Sequence, residues 1–252
     1  MHNLNYKKIY ARAACAGGWS KSRPDNTTKW GDFYALVKKR LEGDEVVLDI
    51  GTAEGHRFMG LSKYIKKGVG IDLEPGMIKL ANRNKQEAGV ENIVFKCMGA
   101  EHLDFPAETF DAITVKHSPI NFKDAFRVLK PGGRLFTQQV SENDKLNLKK
   151  AFGRGQDYGK KSGALLGQYK KQAEQAGFKN IETKVSNIPY YFKSEKKLID
   201  FLNKAPTIPE FGKCSKDYEI LEKFIAKNRA PEGIKSNTVR FFLEMSKELK
   251  IQ

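Results

Sequence analysis

The 252-residue sequence predicts an α/β three-layer sandwich, with a mostly parallel seven-stranded sheet, an N-terminal helix and a helical cap inserted before the last strand. Three observations predict it. From Glu45 onward, short β-branched runs alternate with amphipathic segments, the pattern of a parallel sheet covered by helices. The first of these runs, VVLDIGTAEG (46–55), ends in an acid and passes through glycines into helical sequence. Two late β-rich runs are separated by about 50 residues, which puts an insertion between neighbours at the sheet edge.

The elements follow in order. Residues 28–41 read as an amphipathic helix, with Trp30, Phe33, Leu36, Val37 and Leu41 near helical spacing. EVVLDI (45–50) is the first strand, and a helix follows Gly55. GVGID (68–72) is the second strand, and Pro75 at a first-turn position opens a helix to about Ala88. NIVFKC (92–97) and FDAITVK (110–116) are the third and fourth strands. A helix near 122–129 stops at Lys130-Pro131-Gly132-Gly133, and RLFTQQV (134–140) is the fifth strand. Residues 163–176 read as a helix closed by Gly177, and NIETKVS (180–186) reads as a strand. Residues 194–203 and 217–228 read as helices, and TVRFFLEM (238–245) as the last strand. The expected organisation is an N-terminal helical extension (1–44), a core (45–188 and 237–252) and a cap for substrate recognition (189–236).

Composition narrows the class of protein. Cys15, Cys97 and Cys214 are odd in number and far apart, so they build neither a disulfide framework nor a C-x-x-C zinc site, and a cytoplasmic location is expected. MHNLNYKK has no apolar signal region and no run approaches the roughly 20 apolar residues of a membrane span, so no membrane insertion is expected. Nothing in the sequence fixes the oligomeric state. The net charge of +15 divides unevenly, with +5 on residues 1–44, +1 on 45–141 and +9 on 142–252. An anionic partner, either RNA or an anionic small molecule, is one reading of that imbalance, and solvated lysine-rich helix faces are the other. A positive rim from Lys193, Lys196, Lys197 and Lys204 is expected.

Chemistry concentrates in the core. Gly51 permits a tight turn, Gly55 lets a helix pack closely, and Asp49 stands where a carboxylate meets a cationic amino group directly or through water. The spacing departs from the dinucleotide G-x-G-x-x-G. Asp72, about 21 residues after Gly51 at the end of the second strand, is placed to accept both hydroxyls of a ribose. MGAEHLDFP (98–106) then precedes FDAITVKHSP (110–119) and LKPGGRL (129–135).

This succession resembles the class I S-adenosylmethionine-dependent methyltransferases, in particular those similar to methyltransferase type 11 domains. DIGTAEG corresponds to their D-x-G-x-G-x-G loop, GIDLEPGMIKLA to the ribose loop and KPGG to the turn before the fifth strand. The resemblance covers residues 45–140 and implies a Rossmann-like fold with S-adenosyl-L-methionine as cofactor. It places Asp49, Gly51, Thr52, Ala53, Gly55 and Asp72 around that cofactor, with Leu73 and Met77 either on the adenosyl group or in the core. Ala53 replaces the usual middle glycine. Gly99 stands where the family often has an acid for the adenine amino group, which leaves adenine to backbone around Ala100 and Glu101.

In this family, residues after the fourth strand face the transferring methyl, here Lys116, His117, Ser118 and Pro119. His117 is the catalytic candidate, as a base for an oxygen or nitrogen nucleophile or as a positioning residue. Gln138 and Gln139 either bond substrate or satisfy loop backbone, and Tyr190, Tyr191 and Phe192 either stack on substrate or form cap core. FGRGQDYG, PYYF and LIDFLNKAPTIPEFG resemble a group of uncharacterised bacterial methyltransferase-like proteins. A fainter similarity runs to ribosomal-RNA guanine methyltransferases, whose zinc-ribbon cysteines are missing here. The expected function is methyl transfer to an O or N nucleophile of a small molecule. The alternatives are an RNA methyltransferase, or a non-enzymatic scaffold as suggested by Ala53 and Gly99.

Overall fold

In the computed structural model, which describes residues 32–249, the parallel part of the sheet comprises β1 (Val46–Ile50), β2 (Lys67–Asp72), β3 (Ile93–Cys97), β4 (Phe110–Lys116) and β5 (Leu129–Val140). The late strands are β6 (Lys179–Phe192), the two-residue β7 (Arg229–Ala230) and β8 (Gly233–Ser246). The order is β3-β2-β1-β4-β5-β8-β6, with β7 paired to β8 outside that path, which adds an eighth strand to the seven predicted. β8 is antiparallel to both β5 and β6. The order reverses between β1 and β4, a topological switch point that opens a crevice at the strands' carboxyl ends.

Alternation along each strand sends side chains to two buried faces, which is why β1 and β4 read as nearly unbroken apolar runs. Val47, Ala112, Phe136 and Phe242 face α1 (Phe33–Lys38), α2 (His56–Met59) and α3 (Pro75–Ala88). Leu48, Ile113, Leu135 and Phe241 face α4 (Phe122–Val128) and α6 (Ala164–Ala176). The helix expected over 28–41 is confined to α1 among the described residues, because Asp32 Oδ1 accepts the Tyr34 N–H at 3.0 Å and caps it there; residues 28–31 lie outside them. No described helix is long and apolar enough to cross a membrane.

The late strands are longer than their sequence signals. Ser186 and Val140 both align with Arg240, so 187–192 of β6 and 233–239 of β8 run on past β5 as a two-stranded ribbon of about 20 Å. Pro189 is accommodated because β6 is the edge strand, where a missing N–H leaves no ladder bond unmade. Residues 189–192 and 233–236, expected in the cap, are therefore strand. α7 (Glu195–Lys204) and α8 (Lys216–Asn228) form a separate apolar cluster against the ribbon, joined by α5 (Leu146–Phe152), which carries only a Leu148/Phe152 pair as a sequence signal.

Candidate active site

The crevice at the switch point is one wall of a cavity of about 1140 Å³, and the ribbon with α7 supplies the other. Its floor begins in the glycine loop after β1. Gly51 and Thr52 donate their N–H groups to Ile71 O, each at 2.9 Å, and Gly51, Ala53 and Gly55 all take positive φ (76°, 49° and 78°). At Gly51 this freedom is obligatory, since a Cβ there would stand 2.5 Å from Ser118 Cβ. At Gly55 the missing Cβ makes room for Phe95, whose Cζ lies 2.6 Å from that point, so this glycine serves the packing behind the loop. Ala53 holds the left-handed conformation despite its methyl group, and its N–H donates to Asp72 Oδ2 at 2.9 Å.

Asp72 also accepts the Glu74 N–H on Oδ1 at 3.0 Å, so each carboxylate oxygen keeps a further lone pair. Burial raises its carboxyl above the usual range. Next to it Leu73, 48% exposed, lies on the cavity surface with Ala100 and Glu101. Glu101 Oε2 sits 2.5 Å from where a Cβ of residue 99 would be. The Glu101 carboxylate thus fills the space that an acid at Gly99 would need.

Asp49 lies one layer behind the floor, 1% exposed. The hydroxyls of Tyr34 (2.9 Å) and Thr114 (2.6 Å) donate to its Oδ1, while Oδ2 has no hydrogen-bond partner among the described residues. Burial pushes its carboxyl up to about 6, against the nearby hydroxyls of Thr114, Thr52 and Tyr34. Gly51, Thr52, Ala53, Asp72, Leu73, Ala100, Glu101, Lys116 and His117 are all brought to the cavity surface. Asp49, Gly55, Met77 and Gly99 are not, and Met77 is fully buried in α3.

The loop after β4 forms the middle of the cavity. His117 takes φ 55° and donates its N–H to Gln138 O at 2.9 Å, which turns its half-buried side chain out of the sheet. Gln139 Nε2 donates to Ser118 O at 2.8 Å, so this glutamine satisfies loop backbone. Beyond it, Tyr190, Tyr191, Phe192 and Phe201 line the far wall. Phe192 is also core of the outer cluster, whereas Tyr190 and Tyr191 keep half-buried surface.

Several wall residues carry no site signal in the sequence. Tyr34 reaches the floor from α1, and Tyr169 reaches the far side from α6, its hydroxyl pushed up to about 12 by burial. Asp144 and Lys145, just after β5, meet Arg240 at the base of the ribbon: Arg240 Nη1 lies 2.6 Å and Lys145 Nζ 3.6 Å from Asp144 Oδ1. Only Arg240 had a legible hint, as a cation inside an otherwise apolar strand.

Residues 47–133 match the family model of a methyltransferase domain. The chain is 38% identical over 153 residues to aklanonic acid methyltransferase DauC of a Streptomyces species, covering 56% of this chain and 69% of that protein. It is 36% identical over 110 residues to the uncharacterized methyltransferase YcgJ of Bacillus subtilis, covering 43% and 44%. The crystal structure of YcgJ superposes with a TM-score of 0.64 at 20% identity, covering 85% of this chain and 97% of that one, a likeness of fold. The chain spans about half the length of most curated relatives it matches.

Proposed function

Since the chain belongs to the class I S-adenosylmethionine-dependent methyltransferase family, we propose that it transfers a methyl group to an O or N nucleophile of a small molecule. The observation that carries this reading is the cavity, which joins the glycine loop and Asp72 to a second, aromatic wall. At about 1140 Å³ it exceeds the roughly 300–1,000 Å³ typical of one ligand, as a site for cofactor and acceptor together requires.

S-adenosylmethionine supplies an electrophilic methyl on a sulfonium, open to in-line displacement. The remaining lone pairs of Asp72 accept the two ribose hydroxyls, and exposed Leu73 covers one face of the adenine. Glu101 takes over the amino-group contact that Gly99 does not provide. The loop at Gly51, Thr52 and Ala53 surrounds the methionine end, and Asp49, behind that loop, acts on an ammonium group there through its charge rather than by direct contact. Gly55 and Met77 shape this half from behind, and Lys116 stands at its edge. His117, between the two halves, orients the nucleophile or takes its proton at the imidazole, which at the right geometry is worth about 10²–10⁴ in rate. The segment 189–236 recognises the acceptor.

Calorimetric titration with S-adenosylmethionine tests the placement. Asp72→Ala should weaken binding by about 1–3 kcal/mol, because the ribose hydroxyls lose their acceptor. Undiminished affinity would refute it. His117→Asn keeps a residue tolerant of positive φ and should leave cofactor affinity intact while turnover falls; equal turnover would reduce His117 to a structural role.

A further inference from the structure

The two halves of the cavity carry opposite charge. Around the glycine loop, Glu54, Asp72, Glu74 and Glu101 face it against Arg57 and Lys116. On the far wall the balance inverts, with Lys145, Lys193, Lys197, Lys204 and Arg240 against Asp144 and Asp200. An acidic half suits a cofactor bearing a sulfonium and an ammonium, so the basic half is left to the acceptor.

Part of that positive charge is buried, where it costs most without a counter-ion. Arg240 is 8% exposed and Lys145 3% exposed, and both bear on the single carboxylate of Asp144. Burial alone would raise the Asp144 carboxyl; Arg240 and Lys145 beside it hold it below the ordinary value. Two cations against one anion leave a unit of positive charge at the wall. Behind them Lys149 is occupied by the carbonyls of Glu142 and Gln156 and feels the carboxylates of Asp144, Asp157 and Glu142; of these, Asp157 pairs with Lys160 at 2.5 Å.

The donors of Arg240 are not exhausted. Nη1 bonds Asp144 Oδ1 at 2.6 Å and Val239 O at 2.9 Å, while Nε has no hydrogen-bond partner among the described residues. A guanidinium offers five N–H groups, and a carboxylate is the group its geometry pairs with best. Above it the ribbon presents Tyr190 and Tyr191, and α7 aligns Lys197, Phe201 and Lys204 at spacings of four and three, which put them on one face. Lys145 Nζ lies 4.4 Å from the Tyr190 ring centroid and 5.8 Å from that of Phe201, so these two rings meet the acceptor beside the cation.

We propose that the acceptor is a flat aromatic molecule bearing a carboxylate, its ring against Tyr190, Tyr191 and Phe201 and its acid on Arg240 and the lysines of α7. This rests on the methyltransferase reading for the other half of the cavity. The test is fluorescence titration of the full chain with hydroxynaphthoate and with naphthol, its uncharged counterpart, each with and without S-adenosylhomocysteine. Hydroxynaphthoate should bind about 10- to 100-fold more tightly, the worth of a charged hydrogen-bonded contact. Arg240→Gln should abolish that preference. Should Arg240→Gln fail to fold, the exposed triple variant Lys193→Gln/Lys197→Gln/Lys204→Gln should reduce the preference several-fold with S-adenosylhomocysteine affinity unchanged. Equal binding of the two probes by the native protein, or a preference indifferent to the variants, overturns the proposal. Because the probes are also titrated alone, failure of S-adenosylhomocysteine to bind counts against the methyltransferase reading and leaves this comparison intact.

Discussion

Asp49 shows what one buried carboxylate contributes to this molecule. Its folded pKa of about 6 lies above the ordinary 3.8, so between those values the native state holds the proton more tightly than the unfolded chain. Stability from this group is present at acid pH and is lost as pH rises through about 6, by up to about 3 kcal/mol. An ammonium group in front of the glycine loop reverses the preference by favouring the ionised form. Cofactor affinity should therefore climb as pH rises from about 5 to 7 and level off above, while Asp49→Asn should flatten the profile. Calorimetry across that range checks it, and a flat native profile would show that Asp49 does not sense the ligand. Asp49 and Asp72 were legible in the sequence because each terminates a strand at a fixed distance from a glycine turn. Lys145 was not and Arg240 was only hinted at, since Lys145 Nζ donates to Thr238 Oγ1 93 residues away and Arg240 bonds Asp144 96 residues away, and only the pairing of β5 with β8 brings them together.

Among the elements, the β6–β8 ribbon depends on a side-chain clamp. Asn237 Nδ2 donates to Asn143 O at 3.0 Å and its Oδ1 accepts the Leu146 N–H at 3.0 Å, pinning the start of α5 to the ribbon. Asn237→Ala leaves both backbone groups to water and should cost about 1–2 kcal/mol, lowering Tm by roughly 2–8 °C. Amide exchange in α5 should quicken; unchanged Tm and exchange would show that the clamp is dispensable. β1 to β4 were read to within a residue, because both-face burial gives them dense apolar runs, whereas β5 begins five residues before the expected 134. Leu129 pairs with Phe110 across a register shift, so the expected Lys130-Pro131-Gly132-Gly133 turn is an irregular part of the strand. The ribbon halves of β6 and β8 were missed because one side faces a cavity and the other a small cluster, which mixes tyrosine, lysine and asparagine into the pattern. α5 was missed for a related reason: it opens at Lys145 in a left-handed conformation, without a side-chain cap.

At the scale of the whole molecule, the +15 charge is distributed rather than diffuse, since the segment holding most of β1 to β5 carries only +1. If the basic flanks served an RNA acceptor, log affinity for RNA would fall with log salt at about 0.7–0.9 per phosphate contacted. The aromatic wall of the cavity argues for a small acceptor, so filter binding of total RNA at low and physiological salt should show only weak retention without saturable high-affinity binding. Tight retention with a steep salt slope would restore the RNA reading.

Residues 193–232 leave and rejoin the sheet through Phe192 and Ile234, which are directly paired. Their ends are fixed about 5 Å apart by the ladder itself, whatever lies between them. In polymer terms the insertion is a closed loop whose closure entropy grows only logarithmically, at about 0.6 kcal/mol for each doubling of length. Much of the acceptor wall can thus lengthen, shorten or change composition at little cost to the sheet, whereas the glycine loop is wedged between Ser118 and Phe95 and tolerates almost none. The chain accordingly joins a half that is sterically frozen to a half that is free to drift, across a single pair of strands.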